Sequence, residues 1–444
     1  VISSTGRGTV TVTGTAGQGE GDLNRGVLLF ATSPSGQPSS ILANEGTLTV
    51  SGYGGGTGAS AINFGVQVAS GGLISGHSTV QVAGEGGAGS GQGNQGVVVH
   101  GEASDGTRST ITSDGGNVSV EGQGGGTESG DRNFGLFVGS YGLIRATGSG
   151  EITATGTGGL TNGTNNLGLG LNAKDGPAEI ITEDGDLTVI GIGGGDGDVG
   201  RGDGISLFDG GVISSTGRGT VTVTGTAGQG EGDLNRGVLL FETSPSGQPS
   251  SILANEGTLT VNGYGGGTGA SAINFGVEVA AGGLISGNST VQVAGEGGAG
   301  SGPANQGVVV HGEASDGTRS TITSDGGNVT VEGQGGGTES GADNFGLFVG
   351  SHGLIRATGS GEITATGTGG LTNGRNNLGL GLNAKDGPAE IITEDGDLTV
   401  VGIGGGDGDV AHGDGISLFD GGVISSTGRG TVTVTGTAGQ GEGD

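Results

Sequence analysis

Carboxylates are the only side chains in this sequence that gather densely enough to suggest chemistry. The loop Gly193–Gly204 carries Asp196, Asp198 and Asp203 between glycines, and a hard cation such as Ca²⁺ takes about six to eight oxygens of this kind in a flexible loop. Those three residues are the candidate Ca²⁺ ligands. Calcium-binding coils, however, repeat a Gly-Gly-x-Gly-x-Asp turn about every nine residues, whereas this loop lacks an Asp at that place and occurs once in 211 residues. Solvated Asp-Gly turns are the preferred reading, and no other cofactor is expected.

A second acidic run, Glu183-Asp184-Gly185-Asp186, recurs as Glu394-Asp395-Gly396-Asp397. Paired carboxylates of this kind serve polysaccharide hydrolases and lyases when Arg or Lys converges on them. No basic residue lies beside either run in the sequence. The histidines His77, His100, His311, His352 and His412 follow no metal-ligand spacing and offer no Ser-His-Asp set. Arg201-Gly202-Asp203 spells an integrin-recognised tripeptide, yet the equivalent residues are His412-Gly413-Asp414. The chain reads as a non-enzyme, with a carbohydrate-active enzyme as the remote alternative.

Composition narrows the class further. Fourteen Lys and Arg face 44 Asp and Glu, a net charge of −30, which repels nucleic acid and anionic membrane surfaces. Gly supplies 118 of 444 residues, hydrophobic types 30% and aromatics 3%, so any core is narrow and repetitive. Seven prolines and no Gly-X-Y period exclude collagen. No Cys is present for a disulfide frame or a thiolate site. No run reaches the roughly 18 apolar residues that cross a bilayer as a helix, so no membrane insertion is expected.

The elements that would position any site are set by repetition. Residues 1–211 recur at 212–422 with about 15 differences, and a third copy starts at Val423 and runs to Asp444. The expectation is one continuous body, a window of a longer array. Each unit divides into six segments of about 35 residues with three strand-like runs apiece. One Ile marks the first run, at Ile2, Ile41, Ile74, Ile111, Ile144 and Ile181. The second run alternates apolar and polar, with inward pairs such as Val10/Val12, Leu48/Val50 and Val80/Val82. Inward pairs of the third run include Val27/Leu29, Val66/Val68 and Leu136/Val138.

Turn residues are equally regular. A Gly closes each second run, at Gly14, Gly52, Gly84, Gly122, Gly156 and Gly191, as expected of a corner needing positive φ. Asn precedes the third run, at Asn24, Asn63, Asn94, Asn133 and Asn166; it tolerates the left-handed conformation and can stack on itself. These columns predict an all-β parallel β-helix, a β-solenoid with three strands per coil and about 12 coils. At about 4.8 Å per coil a 211-residue unit advances roughly 29 Å, and the chain roughly 60 Å.

Some outward positions of the third run are apolar: Leu28, Phe30, Val98, Phe137 and Phe208, then Leu239, Phe241, Val309, Phe348 and Phe419. Contiguous exposed apolar surface marks a contact site. Either this stripe binds a neighbouring rod or the coil's own loop folds over it. The Thr9/Thr11/Thr13 face fits an ice-binding pattern locally, but Gln81, Glu121 and Asp186 interrupt it, so it reads as a polar ladder supporting the sheet.

Patterns such as Gly8-Thr9-Val10-Thr11-Val12-Thr13-Gly14 and Asn133-Phe134-Gly135-Leu136-Phe137 resemble the repetitive β-helical shafts of secreted bacterial adhesins, the filamentous-haemagglutinin and autotransporter-passenger type. That resemblance covers the whole chain. It implies a right-handed, cofactor-free shaft that is extracellular or at the cell surface. The expected function is a structural rod segment of a filament or surface fibre, whose partner is itself through end-to-end continuation and lateral association. The alternative is an adhesin or glycan-binding shaft whose variable loops hold a surface ligand.

Overall fold

The computed structural model describes residues 1–30, 37–101, 106–127, 130–195, 200–312, 317–338, 341–406 and 413–439. Every strand in it belongs to one of three parallel sheets, two of 13 strands and one of 12. Each coil contributes one strand to each sheet, as in Ile2–Ser4, Val10–Thr15 and Arg25–Leu29, followed by Ser40–Ala43, Leu48–Tyr53 and Phe64–Ala69. The fold is therefore a three-sided parallel β-solenoid. The junction between the two copies is an ordinary step: Glu179 pairs with Val212, Leu187 with Val221 and Ile205 with Val238.

The core is the set of aliphatic columns. Val50, Val66, Val68, Ile74 and Val80 are fully buried, and their counterparts are buried through the interior coils, whereas Ile2 and Val434 of the end coils are exposed. β-Branched residues suit this setting because their stiff side chains pack against the same type above and below. One expected column member is corrected. Ile180, not Ile181, pairs with Ile144 and Ile213 and is fully buried. Ile181 shares a register with Arg145 and Ser214 and stands half-buried on the outer side. The Ile-Ile dipeptide offers both parities, and the register of the neighbouring coils selects one.

The glycine column that ends each second-sheet strand is also corrected. These glycines have no positive φ. A β-carbon on Gly14 would instead overlap the carbonyl of Gly26, and the same holds for Gly52 against Gly65, Gly84 against Gly96 and Gly122 against Gly135. The corner between the second and third sheets closes as two glycine backbones in contact, so glycine is required for close approach.

The asparagine column works differently from expectation too. The left-handed residue is the one before each Asn: Leu23, Ile62, Arg132 and Asn165 have φ of 65°, 59°, 56° and 57°. A β-branched residue such as Ile62 rarely adopts this conformation, and the neighbouring bonds hold it there. Asn63, Asn94, Asn133 and Asn166 are fully buried. The Asn63 Nδ2 donates to Asn94 Oδ1 at 2.6 Å, and the Asn94 N–H donates to Asn133 Oδ1 at 2.8 Å. Each amide also holds its own loop, as where Asn94 Nδ2 donates to the Gly91 carbonyl at 2.7 Å. A buried amide satisfies both neighbours at once.

Turns from the third sheet back to the first alternate in length. Those after Leu29, His100 and Asn172 are long, while those after Ala69, Val138 and Phe208 hold three residues. This two-coil alternation shapes the outer surface.

Candidate functional site

The third sheet carries the predicted apolar stripe, and inside the rod that stripe is partly covered. Val98, Leu239 and Val309 are 3–4% exposed, and Phe137, Phe208, Phe241 and Phe348 are half-buried. Leu28, Phe30 and Phe419 are exposed, but they lie in the outermost described coils; Leu28 is 44% exposed and its counterpart Leu239 only 3%. The cover is the middle residue of each Asn-x-Gly. Phe134 packs on Phe137 with ring centroids 5.3 Å apart, Phe345 does the same on Phe348, and Leu167 and Phe275 are buried at the same place. Of the two readings of the stripe, cover by the chain's own residues applies to Val98, Leu239 and Val309, because that middle side chain folds back over the sheet, while Phe137, Phe208, Phe241 and Phe348 keep an exposed edge.

The same face holds an ionic row that sequence reasoning missed. Asp203, Arg236, Glu278 and His311 come from four successive coils across the copy junction. Asp203, Arg236 and Glu278 are each less than 9% exposed. The Arg236 Nε contacts Glu278 Oε2 directly, its Nη1 stands 3.9 Å from Asp203 Oδ1, and His311 Nε2 lies 3.2 Å from Glu278 Oε1. Burial pushes the Asp203 carboxyl up, and the more distant Arg236 charge does not fully offset it. Burial acts on Glu278 as well, but contact with Arg236 and His311 outweighs it and holds the carboxyl below its ordinary value. In the first copy Arg25 donates to Gln67, which meets His100 at 3.1 Å. The Gln67/Glu278 difference was the available signal. It could be recognised only once the register placed these residues in one ladder.

Asp203 is therefore structural. Its Oδ1 accepts the Arg236 N–H at 2.9 Å and its Oδ2 the Ser206 hydroxyl at 2.8 Å, which withdraws the aspartate of the Arg-Gly-Asp tripeptide from the surface while Arg201 stays exposed. The other Ca²⁺ candidates, Asp196 and Asp198, lie outside the described residues. Among the described residues no group of three or more His, Asp or Glu is placed to hold a metal ion.

The Glu183–Asp186 run bonds coil to coil. The Glu183 carboxylate accepts the Gly148 N–H at 2.8 Å and pairs with Arg145 at 2.5 Å; those contacts, the backbone bond first, hold it below the ordinary Glu value. Asp184 and Asp186 accept the N–H groups of Arg218 and Thr220 in the next coil. Glu394, Asp395 and Asp397 repeat the pattern.

The first sheet has the open face. Leu73, Leu143, Ile181, Val212, Leu253 and Leu284 point outward and are half-buried. The three-residue turn at Gly210 leaves a notch between the two long turns that flank it, whereas the side chains of Tyr141 and His352 fill the corresponding space at their turns. The notch above Gly210 encloses about 620 Å³, floored by Ile181, Val212 and Leu253 and walled by Lys174–Pro177 and Ser244–Gln248. It spans the copy junction and so belongs to neither copy alone. The second sheet faces solvent with a Thr-rich ladder whose strands add Glu85, Glu121, Glu296 and Glu332.

No family model matches the chain, and no curated protein matches it.

Proposed function

We propose that the chain is a structural rod segment of an extracellular filament or cell-surface fibre. The observation that carries this reading is the copy junction, where all three sheets continue in register as between any other pair of coils. A unit joined to its successor in this way extends a rod by about 29 Å per 211 residues. The rod is stiff because backbone hydrogen bonds tie each coil to the next. The net charge of −30 keeps it in solution. Antibody raised against the repeat, applied to intact cells and followed by electron microscopy, tests this. Labelled fibres outside the cell support it, whereas labelling only after permeabilisation overturns it.

An adhesin shaft is the second reading, favoured by where the copies differ. Gln92-Gly93 becomes Pro303-Ala304 and Asp131-Arg132 becomes Ala342-Asp343, and these pairs fall between strands. Loops that vary on a constant scaffold suit recognition of a surface ligand or glycan. Glycan-array binding by the chain, lost when the second-copy loops replace the first, is the result this reading requires.

A further inference from the structure

We propose that the outer face of the first sheet is a pairing surface for a second copy of this chain, laid antiparallel against the same face. This deepens the rod reading and rests on it.

Charge selects the face. The chain carries −30 overall, so two rods repel through most of their surface. First-sheet strands carry two cations, Arg145 and Arg356, and two anions, Glu179 and Glu390. They are net neutral. Second-sheet strands carry four Glu and no cation, and the third sheet's outer side is already partly covered by Phe134, Leu167 and Phe275.

Area and relief point the same way. About a two-fold axis between the coils of Arg145 and Glu179, ten of the 13 strands overlap; stacked at about 4.8 Å and about 13 Å wide they present roughly 600 Å² per rod, at the low end of a stable interface. The floor of that strip sets half-buried aliphatic side chains, Leu143, Ile181, Val212 and Leu253, among Thr110, Thr112 and Ser286. Its edge alternates a ridge, such as Lys174–Pro177, with a short turn, such as that at Gly210. That axis sets the Lys174–Pro177 ridge of each rod against the short turn of Tyr141 on the other. It also brings Arg145 of each rod to the Glu179 coil of the other. Such a contact is reciprocal and recurs with the 211-residue period.

Sedimentation velocity on the full chain with Ile181→Asp and Ile392→Asp tests the inference. Ile192→Asp with Ile403→Asp, on the second sheet, is the control, and all four residues are half-buried or exposed. The native chain and the control should dimerise at micromolar concentration, and the first-sheet variant should dimerise at least tenfold more weakly with unchanged circular dichroism. A native chain that stays monomeric at tens of micromolar overturns the pairing, as does weakening confined to the control. Single rods of about 60 Å in micrographs would then leave the rod reading standing while the pairing fails.

Discussion

The carbonyl of Gly237 occupies the space that a β-carbon on Gly225 would need. The second and third sheets can meet at that corner only because both residues lack a side chain. Gly225→Ala should cost about 3 kcal/mol or more, the upper end of overpacking. Hydrogen exchange in strands Val221–Thr226 and Val238–Phe241 would report the local opening. Gly247→Ala is the comparison: nothing lies within 4 Å of its β-carbon, and only its φ of 82° is strained, so about 1–2 kcal/mol is expected.

The asparagine ladder should be sensitive to chemistry at constant size. Asn274 Oδ1 accepts from the Asn235 N–H at 3.2 Å and the Ser271 hydroxyl at 3.0 Å, while its Nδ2 donates to Asn305 Oδ1 at 2.7 Å. Asn274→Asp keeps the acceptor and turns the donor into an oxygen facing Asn305 Oδ1. At pH 7 this should cost at least about 2 kcal/mol, the range for a buried unsatisfied polar group. Stability should return as the pH falls through the raised pKa of the new carboxyl, and thermal unfolding at pH 7 and pH 4.5 measures both.

Carboxylates of the native rod pull in opposite directions with pH. Glu183, Glu278 and Glu394 are held below their ordinary value of 4.5, so what they contribute is present above pH 4.5 and is lost as the pH falls through their folded pKa values. Asp203 is raised above 3.8, so its burial weakens the fold at higher pH, and protonation relieves that. Glu183 and Glu394 are solvent-screened, which leaves the Asp203/Arg236/Glu278 row to dominate. Arg236→Met removes the shared cation and should destabilise by about 3–5 kcal/mol at pH 7. The deficit should shrink on acidification as both carboxyls take up protons. An equal deficit at pH 7 and pH 4.5 would contradict the assignment.

Glu278→Gln should be far milder, because it recreates the Arg25–Gln67–His100 arrangement of the first copy. A loss of about 1–2 kcal/mol, the range for a hydrogen bond to a charged group, is expected in urea unfolding.

Chelation should leave melting unchanged. Asp203 is 1% exposed and both its oxygens accept hydrogen bonds within the fold, so turning it to Ca²⁺ would cost those bonds. An EDTA-induced drop of several degrees in melting temperature, restored by added Ca²⁺, would contradict this.

The fold was legible because its signals are local and repeated: Val10/Val12 and Val27/Leu29 show their parity within single strands. Column assignments failed where a short stretch allowed two registers, as at Ile180-Ile181. The reasons for glycine and asparagine were hidden because they lie between coils. Gly14 is explained by Gly26 and Asn63 by Asn94, contacts that no period-two pattern displays. The sequence left the third face open between lateral contact and self-cover because Phe134 and Leu167 stand in turns, where an apolar residue does not reveal which way it folds. The ionic row required the register that sets Asp203, Arg236, Glu278 and His311 side by side.

Each 211-residue copy continues one rod through an unbroken junction. Chains of two, four and six copies imaged by electron microscopy test it most directly. Length should grow by about 29 Å per copy at constant width, six coils at about 4.8 Å. Beads that add width or bend at every junction would contradict it.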